Sequence, residues 1–388
     1  MAQRLNAREI LARLVSFPSV SRDSNLDLVD WLETYLEGQG ITATRVPSPC
    51  GTKAALYAGV GPDGPGGVVL SGHTDVVPVE GQDWTSDPFT LTERDGRLYG
   101  RGTCDMKGFD ALAIAALVEA CDKPLRRPMQ LALSYDEEIG LLGAPPMIDH
   151  MLASGLVRAE TVIVGEPSMM QVVTGHKGGS GWRVRVRGHE VHSSLLPEGV
   201  SAIMWAARLI DWANQRNAEI MASPPSDLAA LFHPPFTTLH VGMIHGGTAH
   251  NITAGSCIFE IEMRVVPGES PSDWDRRLAE EAARLTEQMQ AIHPDAGITL
   301  ERDFSVPPLQ PEVDGPAERL ARRLTGDNAT HMVSYGTEGG QFQERGYSAV
   351  ICGPGDIAQA HQADEFLSLD QFRQGQDFMD RLIADLCR

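Results

Sequence analysis

The sequence predicts an α/β protein in which a mostly parallel, mixed sheet has helices on both faces and is interrupted by an inserted ferredoxin-like α+β domain. Three observations support this prediction. Strand-like apolar runs alternate with helix-like segments in the first part of the chain. A regular apolar–polar alternation begins near Gly181, and the strand–helix alternation resumes after about Pro308. At 388 residues, the chain is longer than a typical single domain and long enough to form two domains.

The first part of the chain alternates strands and helices, which favours a largely parallel sheet. Short apolar runs predict buried strands at 67–70, 129–133 and 161–164. Longer segments with helical periodicity predict helices at 7–15, 25–38, 111–121 and 144–155. The helix at 7–15 carries charged residues between its apolar ones, so we expect an amphipathic surface helix and not a leader peptide.

The middle of the chain has the order βαββαβ, which is the pattern of a ferredoxin-like domain with a four-stranded antiparallel sheet. The segment 182–187 alternates apolar and charged residues, as a strand with one solvent-exposed face does. The other strands are predicted at 238–243, 257–265 and 298–304, and the helices at 200–219 and 274–290. Ser270 and Ser272 precede the second helix and predict a capped start.

The strand–helix alternation returns after about residue 308. Helices are predicted at 316–324 and 369–386, with a buried strand at 348–352 between them. The large α/β domain is therefore predicted to be discontinuous, built from residues 1–180 and 309–388. The inserted domain is predicted to occupy residues 181–308.

Charge and cysteine usage exclude several classes of protein. The net charge of −20 argues against nucleic acid or an anionic membrane as the main partner, and its field would attract a cationic substrate. The six cysteines form no C-x-x-C pair, so neither a thiolate zinc site nor a disulfide framework is indicated. The longest weakly charged stretch, 111–118, is too short to span a bilayer. Together these features favour a soluble enzyme in the reducing cytoplasm.

Five segments carry acids or imidazoles just past predicted strands. They are SGHTDVVP (71–78), GRGTCDMKG (100–108), YDEEIG (135–140), GEPS (165–168) and QAHQADE (359–365). Ligands of open α/β sheets bind outside the carboxyl ends of the strands, so we expect the five segments to meet in one crevice. Each segment alone is more typical of a turn or of solvated surface, and it is the combination that indicates a site.

The charges of these segments require compensation. The residues concerned are His73, Asp105, Glu137, Glu138, Glu166 and His361. The four carboxylates cannot all be ionised in one cleft without cations, and two imidazoles beside carboxylates suit zinc. Two zinc ions that share Asp105 would account for these ligands, because each ion then binds one histidine, one glutamate and the common aspartate. Metal pairs of this kind lie about 3.5–4 Å apart.

Neighbouring residues of the same segments are expected to have different roles. Glu137 and Glu138 point to opposite sides of an extended chain. If Glu138 binds metal, Glu137 can face the bridging water as a general base. Asp75 lies two residues beyond His73 on the same side, so its carboxylate is expected to hydrogen-bond the second imidazole nitrogen and to fix the tautomer.

Taken together, the five segments resemble the ordered motifs of a two-zinc hydrolase family. That family includes acetylornithine deacetylases, succinyl-diaminopimelate desuccinylases, aminoacylases and glutamate carboxypeptidases, and the resemblance spans nearly the whole chain. It implies that His73 and Glu166 ligate one zinc and that Glu138 and His361 ligate the other, with Asp105 bridging. It further implies that Glu137 is the catalytic acid and base, and that the Asp105–Met106 peptide is cis. Cobalt is expected to be able to replace zinc.

The same resemblance assigns roles in the inserted domain, which acts as a lid in this family. His192 resembles the histidine that reaches over the zinc site, in dimers from the partner subunit, and it would stabilise the oxyanion. Asn251 and Arg264 resemble positions that bind the substrate carboxylate. Arg264 could instead be a salt-bridged strand residue. The resemblance also implies a homodimer formed through the lid.

Two further features bear on the substrate. Gly353 and Gly355 flank Pro354 in what resembles the glycine turn whose amides face the substrate, although it could be a plain turn. The run 351–365 and the segments GHKG (175–178) and GTEGG (336–340) most resemble the acetylornithine deacetylase branch. Glu338 could then meet the cationic side chain of ornithine, or it could be a solvated loop acid.

The resemblance predicts metal-dependent hydrolysis of the amide bond of a small N-acyl amino acid. N2-acetyl-L-ornithine is the first candidate substrate, which would place the reaction in arginine biosynthesis. Succinyl-diaminopimelate and acetylcitrulline are the alternatives. Two other classes stay open: a two-metal phosphoesterase, for which no Lys/Arg cluster lies near the motifs, and a non-catalytic amino-acid-binding protein, for which the loss of Glu137 or of a ligand would be expected.

Overall fold

The computed structural model describes residues 3–156 and 158–388. They form two compact units. Unit 1 comprises residues 1–175, 309–331 and 337–388, and unit 2 comprises residues 176–308 and 332–336. The second unit therefore starts five residues before the boundary predicted at 181. It also takes in the short segment 332–336, which the sequence analysis had assigned to the large domain.

The described residues of unit 1 form the following elements. The helices are α1 (Ala7–Val15), α2 (Leu26–Gly38), α3 (Lys107–Ala120), α4 (Ala144–Ala153), α7 (Pro316–Thr325), α8 (Gly339–Glu344) and α9 (Leu369–Leu386). The strands are β1 (Ala43–Pro47), β2 (Ala54–Val60), β3 (Val68–His73), β4 (Thr92–Arg94), β5 (Arg97–Tyr99), β6 (Met129–Ser134), β7 (Thr161–Pro167), β14 (Ser348–Gly353) and β15 (Phe366–Ser368). Strands β8 (Val173–His176) and β13 (His331–Val333) lie where the chain passes between the two units.

The large sheet has eight strands in the order β1-β2-β6-β3-β7-β14-β8-β13. Its four central strands, β6, β3, β7 and β14, are parallel to one another, whereas β2 pairs antiparallel with β6 and β1, and β8 pairs antiparallel with β14. Every residue of the four central strands is buried, which explains why they appear in the sequence as continuous apolar runs. The fold class predicted from the sequence is confirmed.

The core of unit 1 lies between this sheet and its helices. Helix α3 is buried on nearly all sides and contacts both α1 and α9. It has no polar face because other elements cover it all round. By contrast, α1 is amphipathic and begins with a capping box: the Asn6 side chain accepts from the Glu9 amide at 3.0 Å, and the Glu9 carboxylate accepts from the Asn6 amide at 2.8 Å.

Unit 2 has the predicted order βαββαβ. Its elements are β9 (Gly178–Arg187), α5 (Ala202–Ala222), β10 (Thr238–Gly246), β11 (Ser256–Val265), α6 (Pro271–Gln290) and β12 (Gly297–Val306). The four strands pair antiparallel in the order β10-β11-β9-β12, with α5 and α6 packed on the sheet. Inward-facing residues of β11 are buried and alternate with half-buried or exposed ones, as expected for a strand with one solvated face.

Two details differ from the sequence prediction or extend it. Ser270 is the N-cap residue of α6, but its side chain makes no cap hydrogen bond and lies 2.7 Å from the Ser272 hydroxyl instead. Pro271 occupies the first turn of this helix, where the missing N–H costs nothing. Among the described residues, no helix is long and apolar enough to cross a membrane.

Candidate metal centre

The four central strands of the large sheet deliver the predicted site residues to one edge. His73 is the last residue of β3, Glu166 lies at the end of β7, and Glu137 and Glu138 follow β6 within four residues. His361 follows β14 after a 3₁₀ turn. Because these strands are parallel and adjacent, their carboxyl ends meet at the same edge of the sheet.

Asp105 lies at the centre of the cluster. It precedes α3, and its peptide bond to Met106 is cis, as the resemblance implied. One carboxylate oxygen of Asp105 is 3.3 Å from Nε2 of His73, and the other is 3.1 Å from Nε2 of His361. The carboxylate is thus shared between the two imidazoles, which is the arrangement that a bridging ligand requires.

The glutamates complete two donor groups around Asp105. Glu166 Oε1 is 3.7 Å and Glu137 Oε2 is 3.9 Å from His73 Nε2. Glu138 lies beside His361, with Oε2 at 3.0 Å from His361 Nε2, and its ligand atom also lies within 4.8 Å of those of His73 and Asp105. The ligand atoms of His73, Glu137 and Glu166 all lie within 4.8 Å of one another. Glu137 is therefore within reach of the same ion as Glu166, so geometry alone leaves it open as ligand or as base.

The orientation of His73 is set by backbone and not by the predicted carboxylate. Its Nδ1–H donates to the backbone carbonyl of Asp75 at 2.9 Å, whereas the Asp75 carboxylate is 3.6 Å away. The nearer partner of this nitrogen is thus the backbone carbonyl, and the side-chain contact predicted for Asp75 is the longer one. The Asp75 carboxylate accepts instead from the Ser21 hydroxyl at 2.7 Å and from the amides of Glu137 and Glu138 at 3.2 and 3.3 Å. Asp75 therefore anchors the segment that carries the two glutamates.

The electrostatics of the cluster show an excess of negative charge. Burial, reinforced by the charge of Asp105, raises the pKa of Glu138 to about 7 and that of Glu166 well above its usual range. Burial also raises the pKa of Glu137 well above its usual range. Hydrogen bonds to Asp105 and Glu138 raise the pKa of His361 to about 10. In the chain alone, protons thus compensate the three glutamates, and divalent cations would replace those protons. Burial opposes ionisation of Asp105, but its hydrogen bonds with His361 and His73 lower its pKa below the usual value.

The donor set fits divalent metal ions. Because Nδ1 of His73 is committed to a carbonyl, Nε2 is the atom left to bind a proton or a cation, as is usual for a metal-ligating histidine. Imidazole nitrogen and carboxylate oxygen together are ligands that zinc accepts. Of the four carboxylates and two imidazoles in the cluster, His73, Asp105, Glu137 and Glu166 are buried, and uncompensated charge at such positions is costly.

Glu338 is not placed as predicted. It is 1 % exposed and its carboxylate accepts hydrogen bonds from the hydroxyls of Ser71, at 2.7 Å, and Ser134. Burial raises its pKa to about 7. The interpretation as a solvated loop acid is therefore wrong, and both carboxylate oxygens already have partners within the protein. It lies under the sheet edge that carries His73.

The glycine turn is a structural turn. The amide of Gly353 donates to the Ser168 hydroxyl at 3.1 Å, and the amide of Gly355 donates to Gln371 Oε1 at 3.2 Å. Both amides are thus committed within the protein, which contradicts their predicted role in substrate binding. The glycines are needed for close packing: a Cβ on Gly353 would lie 1.9 Å from the carbonyl oxygen of Gly165.

The predicted residues of the inserted domain all belong to unit 2. His192 and Asn251 are exposed and adjacent, since the Ser193 amide donates to the Asn251 carbonyl at 2.9 Å and His192 pairs with Ile252 in an isolated bridge. Arg264 lies on β11 and pairs with Glu262 two residues away at 2.5 Å. The salt-bridged alternative that the sequence left open for Arg264 is the arrangement found.

Sequence reasoning gave no role to two residues that contact the cluster. Ser21 bonds the Asp75 carboxylate, and nothing in its sequence surroundings indicates this. Glu365 accepts from the Asp105 amide at 3.0 Å and from the Cys104 amide at 2.8 Å. Its position four residues after His361, in the same motif, was a signal that could have found it.

The fold and the site define a metal-dependent hydrolase with an α/β catalytic unit and a ferredoxin-like second unit. The comparisons with known proteins agree. A family model described as peptidase family M20/M25/M40 matches residues 69–385, so the chain belongs to that family. The acetylornithine deacetylase of Myxococcus xanthus is 35% identical over 392 residues, covering 98% of this chain and 97% of that relative. The acetylornithine deacetylase of Pectobacterium atrosepticum is 32% identical over 406 residues, with the same coverages.

Solved structures share the fold at low sequence identity. The M20 family metallo-carboxypeptidase Sso-CP2 of Sulfolobus solfataricus superposes with a TM-score of 0.79 at 17% identity, covering 98% of this chain and 99% of that one. A dinuclear metal-binding M20 peptidase of Bacillus subtilis gives 0.63 at 16% identity, with coverages of 98% and 97%. These likenesses establish that the architecture of both units is that of the family.

Proposed function

We propose that this protein hydrolyses the amide bond of N2-acetyl-L-ornithine, releasing L-ornithine and acetate. The observation that carries the proposal is the Asp105 carboxylate shared between His73 and His361, surrounded by three further acids. The substrate follows from the two relatives named above, both called acetylornithine deacetylase and matched over nearly their full length. The net charge of −20 also suits a substrate with a cationic side chain.

The proposed metal assignment uses two zinc ions. His73 and Glu166 would hold one, Glu138 and His361 the other, and Asp105 would bridge them. Bound in this way, divalent cations supply Lewis acidity that polarises the scissile carbonyl and lowers the pKa of a bound water. Zinc is proposed because imidazole and carboxylate ligands suit it, and cobalt is expected to substitute.

Glu137 is the proposed general base and acid. Its carboxylate is nine-tenths buried, borders the His73 side of the cluster, and belongs to a segment that Asp75 anchors through the Glu137 amide. Burial raises its pKa well above the usual range, which suits a group that must both take and return a proton. In the reaction Glu137 removes a proton from water, the water oxygen adds to the amide carbon, and the same proton passes to the nitrogen as the C–N bond breaks.

Residues of unit 2 are proposed to act on the substrate. His192 would donate a hydrogen bond to the developing oxyanion, and Asn251 and Arg264 would bind the α-carboxylate. The exposure of His192 and its adjacency to Asn251 support this role. For Arg264, the ion pair with Glu262 would have to exchange for the substrate carboxylate.

A cytoplasmic homodimer that associates through unit 2 is proposed as the working form. The edge strand β10 exposes Met243 (53 %) and Ile244 (46 %), and the start of α5 exposes Met204 (59 %). Exposed apolar side chains on an unpaired edge strand are features of an interaction surface. A second copy of the chain would cover them.

The decisive experiment separates metal binding from turnover. Glu137→Gln protein should retain both zinc ions, measured by elemental analysis, yet lose nearly all release of free amine from N2-acetyl-L-ornithine. Glu37→Gln, which changes an exposed acid on α2, is the matched control and should behave as wild type. Turnover retained in Glu137→Gln would remove Glu137 from its role, and loss of a zinc ion would make it a ligand instead.

The substrate is tested by a panel. Wild-type protein should release amine faster from N2-acetyl-L-ornithine than from N-succinyl-diaminopimelate or N-acetylcitrulline, and a chelator should abolish all three reactions. A preference for either of the other compounds would keep the chemistry and correct the substrate. Release of phosphate from a chromogenic phosphoester, without amide hydrolysis, would overturn the reaction class.

A further inference from the structure

Glu365 is a buried acid that the proposed reaction does not use. It is 1 % exposed, and both of its carboxylate oxygens are engaged. Oε1 accepts from the amides of Cys104 and Asp105 at 2.8 and 3.0 Å. Oε2 accepts from Nη1 of Arg101 at 2.6 Å. The side chain that ends the His361 segment is thus bonded directly to the backbone of the bridging aspartate.

Arg101 extends this contact to a third loop. Its guanidinium is also 1 % exposed, and Nη2 donates to Gln82 Oε1 at 2.5 Å and to the Pro78 carbonyl at 3.3 Å. Gln82 in turn donates from Nε2 to the backbone carbonyl of His361 at 2.8 Å. One buried cation therefore links the loops that carry Asp105 and His361 in three ways: through Glu365, through Gln82, and directly, because Nη1 also donates to the Gln362 carbonyl at 3.3 Å.

The small sheet that contains β5 and β15 also joins the loops that carry Asp105 and His361. Strand β15 pairs antiparallel with β5, with Phe366 opposite Tyr99, and the ladder continues as the Gly100 amide donates to the Glu365 carbonyl at 3.0 Å. The small sheet thereby brings the ends of the two loops together. The Arg101–Glu365 pair then fixes the last residues before the metal cluster.

We infer that Glu365 and Arg101 form a positioning pair that sets the separation of Asp105 and His361, and so the affinity of the second metal position. The inference rests on the proposed function, because it takes Asp105, Glu138 and His361 as the ligands of that position. Two of those three ligands belong to loops that the pair holds. The first position shares Asp105, but its other two ligands, His73 and Glu166, are held by β3 and β7, independently of the pair.

The test is a titration of metal-free protein with zinc chloride, followed by calorimetry, on wild type and Glu365→Gln. Glutamine has the same size but a single acceptor oxygen, so either the two amides or Arg101 lose their partner. We expect the second binding step to weaken by about 10- to 100-fold, the range typical for residues that support metal ligands, and the first step to change less. This selective effect is one that general destabilisation would not produce.

Two variants make the result interpretable. Asp385→Asn removes the charge that pairs with both Arg127 and Arg323 in unit 1 and is the control for loss of a partly buried ion pair; both steps should stay at wild-type affinity. Gln82→Ala cuts the path from Arg101 to the His361 carbonyl without leaving a buried charge unpaired. It should weaken the second step in the same direction as Glu365→Gln, and it decides the question if Glu365→Gln is not recovered folded.

The outcomes are distinct. A second step at wild-type affinity in Glu365→Gln, or in Gln82→Ala if the former does not fold, overturns the positioning role. Equal weakening of both steps, or weakening of the second step in Asp385→Asn, overturns it as well. If wild-type protein takes up only one ion, the two-metal assignment of the proposed function itself is overturned. Weakening confined to the second step in both Glu365→Gln and Gln82→Ala supports the pair.

Discussion

Replacing Glu338 by glutamine tests whether a carboxylate is enclosed beneath the metal cluster, where the sequence suggested a substrate contact. Glutamine has the same shape and can accept from one of the two serine hydroxyls while donating to the other. The substitution therefore removes the charge and retains the packing. Its effect on stability should depend strongly on pH, because the charge is the only property that changes.

The size of the effect follows from the pKa. Burial raises the pKa of Glu338 from 4.5 to about 7, and each pKa unit corresponds to about 1.36 kcal/mol, so the ionised form costs the folded state ~3 kcal/mol. The folded state holds the proton more tightly than the unfolded chain. Wild-type stability from this group is therefore fully present below pH 4.5 and is lost as the pH rises through about 7.

The assay is urea unfolding of both proteins between pH 5 and pH 8, in chelator so that metal binding does not contribute. Near pH 5 the two free energies of unfolding should differ by less than about 1 kcal/mol, and at pH 8 Glu338→Gln should be the more stable by ~3 kcal/mol. Glu37→Gln, on the exposed surface of α2, is the control for the loss of one acid.

A difference between wild type and Glu338→Gln that is the same at both pH values would refute this reasoning, as would a variant that is less stable at pH 8. Kinetics give an independent check on the sequence hypothesis. Because the carboxylate is enclosed, KM for a substrate with a cationic side chain should stay at the wild-type value. A large rise in KM would restore Glu338 as a substrate contact.

Three further perturbations probe other parts of the molecule. Gly353→Ala should lower the free energy of unfolding by about 3 kcal/mol or more, because the new Cβ meets backbone at 1.9 Å, while Gly64→Ala, with no atom within 4 Å, should be neutral in the same urea assay. Chelation should abolish turnover and lower Tm, since the buried carboxylates lose their compensation, and added zinc should restore both; unchanged Tm would contradict the metal assignment. His192→Ala should reduce kcat with the zinc content intact, and a mixture with Glu137→Gln subunits that regains activity would place the histidine across a dimer.

The elements of the fold were largely predictable because their signals are local. Helix α1 was predicted to the residue, since its apolar and charged residues alternate with helical spacing within nine residues. Strands β6, β7 and β14 were predicted because strands covered on both faces are apolar throughout. The segment 332–336 was assigned to the wrong domain, because five residues carry no periodicity and only their contacts place them in unit 2.

The metal cluster was also predictable in outline, whereas the residues that support it were not. His73, Asp105 and His361 do meet, as the order of motifs at strand ends implied. The hydrogen-bond partner of each polar group depends on distances in the folded chain, and the spacing of residues in the sequence does not determine those distances. The Asp75 carboxylate accepts from the amides of Glu137 and Glu138, whereas the backbone carbonyl of Asp75 orients His73. A sequence motif shows that Asp75 is near His73 but not whether its side chain or its backbone makes the contact.

The sequence by itself determined the class of fold, the set of groups that collect at the sheet edge, and the need for cations among them, because periodicity and charge are properties of residue order. Only the tertiary structure decided which polar groups are free to act. Glu338, Gly353 and Gly355 carry the chemistry of a binding site, yet their hydrogen-bonding capacity is used within the protein. Burial and the choice of hydrogen-bond partner arise when distant segments pack, so they are properties of the folded chain.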